Sequence, residues 1–162
     1  MDRLWSPWRY EYVKAERPQG CVFCDALSRA DGPSNWVVRR EPHAFVILNI
    51  YPYNSGHVMV CPSRHATSLC DLAPEEGAAL FSLAARTDRA LRASMGAEGV
   101  NLGANLGRAA GGSIDHVHLH LVPRWTGDTN FMPVCAETKV MVQMLETTWD
   151  RLRAADWGGP VT

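Results

Sequence analysis

His116-Val117-His118-Leu119-His120-Leu121-Val122 alternates imidazoles with aliphatic side chains along one short stretch. In a β-strand successive side chains point to opposite faces. The three histidines therefore share one face, and Val117, Leu119 and Leu121 share the other, where they can enter a core. Three readings compete for such a row. It can be exposed polar decoration on an edge strand, a chelating His-x-His pair, or a nucleophile with neighbouring proton donors. A metallohydrolase needs nearby carboxylates, and Asp115 is the only acid adjoining the run. An imidazole with an ordinary pKa near 6.5 offers both protonation states near neutrality, as nucleophilic catalysis requires.

The residues just before the run favour phosphate chemistry. Gly107 and Gly111-Gly112-Ser113 permit close backbone approach to an anion, Ser113 adds a hydroxyl and Arg108 a charge. Further upstream, segments near 36–40, 44–49 and 57–61 read as strands. The last two flank the turn-rich Tyr51-Pro52-Tyr53-Asn54-Ser55-Gly56 and pair as a hairpin. Ile47 and Asn49 then share one face, as do His57 and Met59, which makes an apolar slot beside polar groups. Ile47 and Met59 serve equally well as ordinary core.

Asp71-Leu72-Ala73-Pro74-Glu75-Glu76 opens a helix, with proline in the first turn and acids at its positive end. Leu80, Leu83, Ala84, Thr87, Leu91 and Met95 continue it at helical spacing, and Gly96 and Gly99 end it. Segments 100–106 and 116–122 are strands, and Met141, Leu145, Thr148, Trp149 and Leu152 line a last helix. The expected fold class is α+β: a largely antiparallel sheet, one long central helix and a C-terminal helix.

The 162 residues suit a single domain over 1–162, with a core near 20–130, an aromatic extension 1–19 and a C-terminal helix near 138–155. A net charge of -1 argues against bulk attraction to nucleic acid or an anionic membrane. No apolar run approaches the roughly 20 residues that span a bilayer. The chain start lacks a secretory pattern. With five cysteines, of which only Cys21 and Cys24 are closely spaced, a reducing cytoplasm is expected rather than a disulfide framework. The Cys21/Cys24 pair by itself fits a redox couple, a metal knuckle or coincidence. Cys61, Cys70 and Cys135 read as small buried apolar residues, and His43 as solvent-facing.

Taken together, these motifs resemble the histidine triad superfamily. The His-x-His-x-His-x-x run, Leu48-Asn49-Ile50-Tyr51-Pro52, Gly56-His57-Val58-Met59-Val60, Pro62-Ser63-Arg64-His65, Asn101-Leu102-Gly103-Ala104-Asn105 and Pro123-Arg124 all fall at the family's spacing over roughly residues 20–130. Leu4-Trp5-Ser6-Pro7-Trp8-Arg9, Gly111-Gly112-Ser113 and Pro123-Arg124-Trp125 are similar to its bacterial diadenosine tetraphosphate phosphorylase branch.

The resemblance implies that His118 attacks an α-phosphorus and forms a nucleotidyl-histidine. It implies that His120 contacts phosphate and assists the leaving group, that His116 supports both, and that His57 is a fourth, supporting histidine. Asn49 then matches a ribose-binding position, Asn105 a polar residue near the phosphates and Ser113 a phosphate donor. Gly112 stands where many relatives have glutamine. Zinc-bearing relatives imply a structural zinc held by Cys21, Cys24, His65 and His116, with no organic cofactor.

The expected activity is cleavage of a dinucleoside polyphosphate with inorganic phosphate or water as acceptor, in a homodimer. A nucleoside phosphoramidate hydrolase and a non-catalytic nucleotide-binding module are the alternatives.

Overall fold

The structure is a computed structural model and describes residues 20–30, 32, 34–129, 141 and 143–159. The aromatic extension 1–19 and Cys135 lie outside the described residues. The elements run α1 (Val22–Ser28), β1 (Val37–Arg40), β2 (Ala44–Leu48), β3 (Val58–Pro62), α2 (Pro74–Met95), β4 (Gly99–Gly103), β5 (Leu119–Arg124) and α3 (Leu145–Arg153). Short 3-10 turns at Leu69–Asp71 and Arg108–Ala110 precede α2 and follow β4. The strands form one sheet in the order β1-β2-β3-β5-β4, with every neighbouring pair antiparallel. The expected α+β class and hairpin pairing are therefore what the chain adopts.

Strand alternation divides this sheet into two chemically different faces. Val38, Val46, Leu48, Val58, Val60, Leu119 and Leu121 pack with Leu80, Leu83, Ala84 and Leu91 of α2 into the main core. Val37, Phe45, Ile47, Met59 and Cys61 point the other way and meet Phe23 and Ala26 of α1. Since β2 and β3 are buried along their whole length, a slip of one residue would drive the wrong set into each layer. The register is held accordingly, with Met59 opposite His120 and Ile47 opposite Met59.

Proline and two glutamates occupy the first turn of α2, and Glu76 accepts the Ala73 backbone N–H at 2.9 Å. Gly96 closes the helix in the left-handed region, φ 65°. Gly99 does not end the helix as expected; it opens β4. The last described helix starts at Leu145, and the exposed Met141, expected on it, lies before it, while residues 138–140 lie outside the described residues. Cys61 is fully buried as expected, whereas Cys70 is exposed in its 3-10 turn, a correction to its reading as core. His43 is exposed, as expected. Among the described residues, no helix is long and apolar enough to cross a membrane.

The layering makes a direct prediction for stability. Leu83→Ala empties a fully buried position of α2 and should cost about 2–5 kcal/mol. Arg151→Ala, on the exposed side of α3, should stay within about 0.5 kcal/mol. Denaturant midpoints check both; equal shifts would contradict the assigned core.

Candidate active site

The triad straddles the start of β5 instead of lying wholly within a strand. Only His120 belongs to the β5 ladder; His116 and His118 precede it in extended chain, where Val117 donates its N–H to Ala66 O at 2.8 Å. Alternation still holds: Val117, Leu119 and Leu121 enter the main core, and the imidazoles take the opposite face. The His118 and His120 ring centroids are 4.8 Å apart, and His57 and His120 are 5.1 Å apart. His57, expected inside a strand, sits just before β3, close enough for its Nε2 to lie 2.9 Å from His120 Nδ1.

Hydrogen bonds fix the tautomers. A carbonyl only accepts, so His118 Nδ1 carries the proton that bonds His116 O at 2.7 Å. In the neutral ring, Nε2 of His118 is then the bare lone pair. On the other side, Tyr53 donates its backbone N–H to His57 Nδ1 at 3.0 Å. His57 Nε2 therefore holds the proton and donates it to His120 Nδ1. That leaves the proton of neutral His120 on Nε2, a buried atom with no hydrogen-bond partner among the described residues. A bare nitrogen on His118 thus stands beside a poised donor on His120.

His116 faces away from this pair. Its Nε2 donates to Pro62 O at 3.0 Å, which turns Nδ1 toward the cysteines. His116 Nδ1 lies 3.2 Å from Cys21 Sγ and 3.7 Å from Cys24 Sγ, and His65 Nδ1 lies 3.5 Å from Cys24 Sγ. All four ligand atoms fall within 4.8 Å of one another. Zinc–sulfur bonds of about 2.3 Å and zinc–nitrogen bonds of about 2.0 Å in a tetrahedron call for donor separations of about 3.3–3.8 Å. The cluster is compatible with zinc, and the Pro62 carbonyl orients its most buried histidine in the usual outer-layer manner.

The remaining expected residues divide into two groups. Asn49 joins the site, with its amide nitrogen 3.5 Å from His57 Nε2 and its oxygen accepting the Tyr51 N–H at 2.9 Å. Ile47 and Met59 are 7% and 6% exposed, packed against Phe23, so their alternative reading as core describes their burial. Gly112 packs closely against the backbone of Asn105 and Gly107. Gly112 donates to Gly107 O at 3.0 Å, and a Cβ there would sit 2.9 Å from both Asn105 O and Gly107 O. Ser113 is exposed in the segment leading into His116.

Two aromatics that spacing did not single out also belong to the site. Phe23, between the two cysteines, sets its ring edge-on to His116 at 5.6 Å and to His118 at 5.2 Å. Tyr53 lies over His57 at 4.7 Å and near His120 at 5.9 Å. The one signal for Phe23 was its position between the two cysteines that approach His116.

Residues 32–127 match the HIT domain family. The chain belongs to the HIT family. It is 38% identical over 170 residues to a protein named AP-4-A phosphorylase from Mycobacterium tuberculosis, covering 97% of this chain and 85% of that one. Among solved structures, a zinc-bound histidine triad family protein from Mycobacterium smegmatis superposes with a TM-score of 0.67 at 32% identity, over 83% of this chain and 91% of the other. A histidine triad nucleotide-binding protein from Sulfolobus tokodaii gives 0.68 at 26% identity, over 82% and 89%.

The electrostatics of this HIT site keep its imidazoles neutral. Burial pushes His57 down to about 3, aided by His120 and His118, and pushes His120 down to about 4, aided by His118. Burial also lowers His118, against the opposing pull of the His116 carbonyl. A histidine depressed in the folded state binds its proton in the unfolded chain first. Stability from His57 is then fully present above its ordinary value of 6.5 and is lost as pH falls toward about 3.

Each such group steepens the decline by up to about 1.4 kcal/mol per pH unit. His57→Asn should flatten the fall in unfolding free energy between pH 6.5 and 4, measured by urea titration. An unchanged slope would contradict a neutral, buried His57.

Proposed function

We propose that this HIT protein is a dinucleoside polyphosphate phosphorylase acting on diadenosine tetraphosphate through a covalent nucleotidyl intermediate on His118. The observation that carries this reading is the orientation of His118: Nδ1 is committed to its neighbour's carbonyl, and Nε2 is free beside His120. His118 Nε2 attacks the α-phosphorus, a P–N bond forms, and the P–O bond to the leaving ATP breaks. His120 Nε2–H donates a hydrogen bond to the departing oxygen, which leaves as the terminal phosphate of ATP while the positive charge stays on the His118 ring. Inorganic phosphate then attacks the same phosphorus, the P–N bond breaks, and ADP leaves. Water in the same role would yield AMP.

Two features support phosphate as acceptor. The relative named AP-4-A phosphorylase shares 38% identity over nearly all of this chain. The loop that closes on Gly112 also has no room for a side chain there, so no long amide reaches from this position toward the triad. Asn49 is assigned to the ribose, Ile47 and Met59 to the wall of the base site, and Asn105 and Ser113 to the phosphates.

Cys21, Cys24, His65 and His116 are assigned to a structural zinc. The metal would neutralise the two thiolates and hold His116 in place, leaving the chemistry to His118 and His120. Such free thiols fit a reducing cytoplasm. Among the described residues β4 is an edge strand, and with Leu102 52% exposed and Phe81 of α2 56% exposed it supports edge-to-edge pairing of two copies.

Incubation with diadenosine tetraphosphate, with and without inorganic phosphate, tests the activity. The expected products are ADP and ATP in a phosphate-dependent reaction, and His118→Asn should lose at least about a thousandfold in kcat. AMP independent of phosphate would mean hydrolysis, and cleavage only of adenosine phosphoramidate would overturn the substrate. For the metal, elemental analysis should find about one zinc per chain, and Cys24→Ser should lower both zinc content and Tm. Zinc near zero in mildly purified protein would remove that assignment.

A further inference from the structure

Ile50, Tyr51 and Tyr53 are 47%, 49% and 57% exposed, a run of large apolar side chains at the rim of the triad. Loops with that much aromatic surface are ordinarily mobile or covered. Here the backbone beneath it is tied down at several points. Tyr51 N–H bonds Asn49 Oδ1, and Tyr53 N–H bonds His57 Nδ1. Asn54 donates to Pro123 O at 3.0 Å and to Asp128 at 2.9 Å. Gly56 holds φ +83°, and a Cβ there would meet Met95 Sδ at 2.6 Å. The loop backbone is thus anchored under exposed rings, and the site residues Asn49 and His57 supply two of its anchors.

Tyr53 has the geometry of a stacking platform. One face of its ring lies on His57, tilted by 30°, while more than half of the residue remains open to solvent. The ring of His120, the histidine assigned to the leaving group, has its centroid 5.9 Å away. A planar base on the chain that departs past His120 would meet the exposed part of the Tyr53 ring.

Resting on the function proposed above, we propose that Tyr53 is the binding platform for the second nucleobase of the dinucleoside polyphosphate. Its task is to stack the base of the leaving nucleotide. Base–aromatic stacking contributes about 1–3 kcal/mol, which is about 5- to 150-fold in affinity. The site would prefer substrates with a base at both ends over those ending in bare phosphate.

The test compares diadenosine tetraphosphate with adenosine tetraphosphate, which carries the same phosphate chain but no second base. In Tyr53→Leu, the kcat/KM ratio between the two should fall by about 5- to 150-fold, while Tyr53→Phe keeps the ratio within about twofold of wild type. Equal losses on both substrates would make the ring a mere support for His57 and overturn the proposal, as would an unchanged ratio. Calorimetric titration of both compounds into His118→Asn forms of the same proteins reads the ratio without turnover. It therefore decides the platform even if wild-type protein cleaves neither compound and the functional reading has failed.

Discussion

The hydrogen bond from His118 Nδ1 to the carbonyl of His116 is the constraint on which the site depends. It makes one residue of the run the support of another, two positions along the same extended chain. A histidine held this way cannot rotate its lone pair elsewhere without losing a bond in a buried setting, where an unmet donor costs about 1–3 kcal/mol. The supporting carbonyl is itself fixed, because His116 is bonded to Pro62 at the end of β3 and faces Cys21 and Cys24 at the start of α1. Backbone position, tautomer and reactivity are thereby linked across three elements.

The two-faced sheet explains how so many imidazoles fit in a small domain. The face toward α2 is predominantly aliphatic, with Trp157 at its edge, and carries most of the stabilising burial. The opposite face is released from that duty and collects His57, His118 and His120, with Phe23 closing one side and Tyr53 the other. Burial on this face lowers the histidine pKa values, so the neutral forms that the tautomer chain requires are the forms present near pH 7. Placing the triad costs some stability in acid, and the aliphatic layer offsets it.

Much of this was legible in the sequence because it rests on period-two alternation. Val117, Leu119 and Leu121 identify the buried face of β5, and the three histidines follow by position alone. The α2 face and the hairpin around residues 51–56 were legible for the same reason. Other features depend on chain folding that periodicity does not encode. The different orientations of His116 and His118 arise from which carbonyl or sulfur each ring nitrogen meets, and Pro62 and Cys21 lie far from both in sequence. Strand ends were misplaced by a few residues where the chain stays extended but leaves the ladder, as at His116 and His118. Cys70 was misread because cysteine usually packs inside, whereas a 3-10 turn at the head of α2 holds it in solvent. Tyr53 carried no periodic signal at all.

The central claim is that His118 Nε2 forms a bond to phosphorus. Rapid acid-free quenching during the first turnover with labelled diadenosine tetraphosphate, followed by peptide mapping, tests it most directly. The expected result is one adenylyl group on the peptide bearing His118, attached through a phosphoramidate bond that survives alkali and is lost in acid. Label on His120, or product formed in the first turnover with no label on the protein, would contradict it.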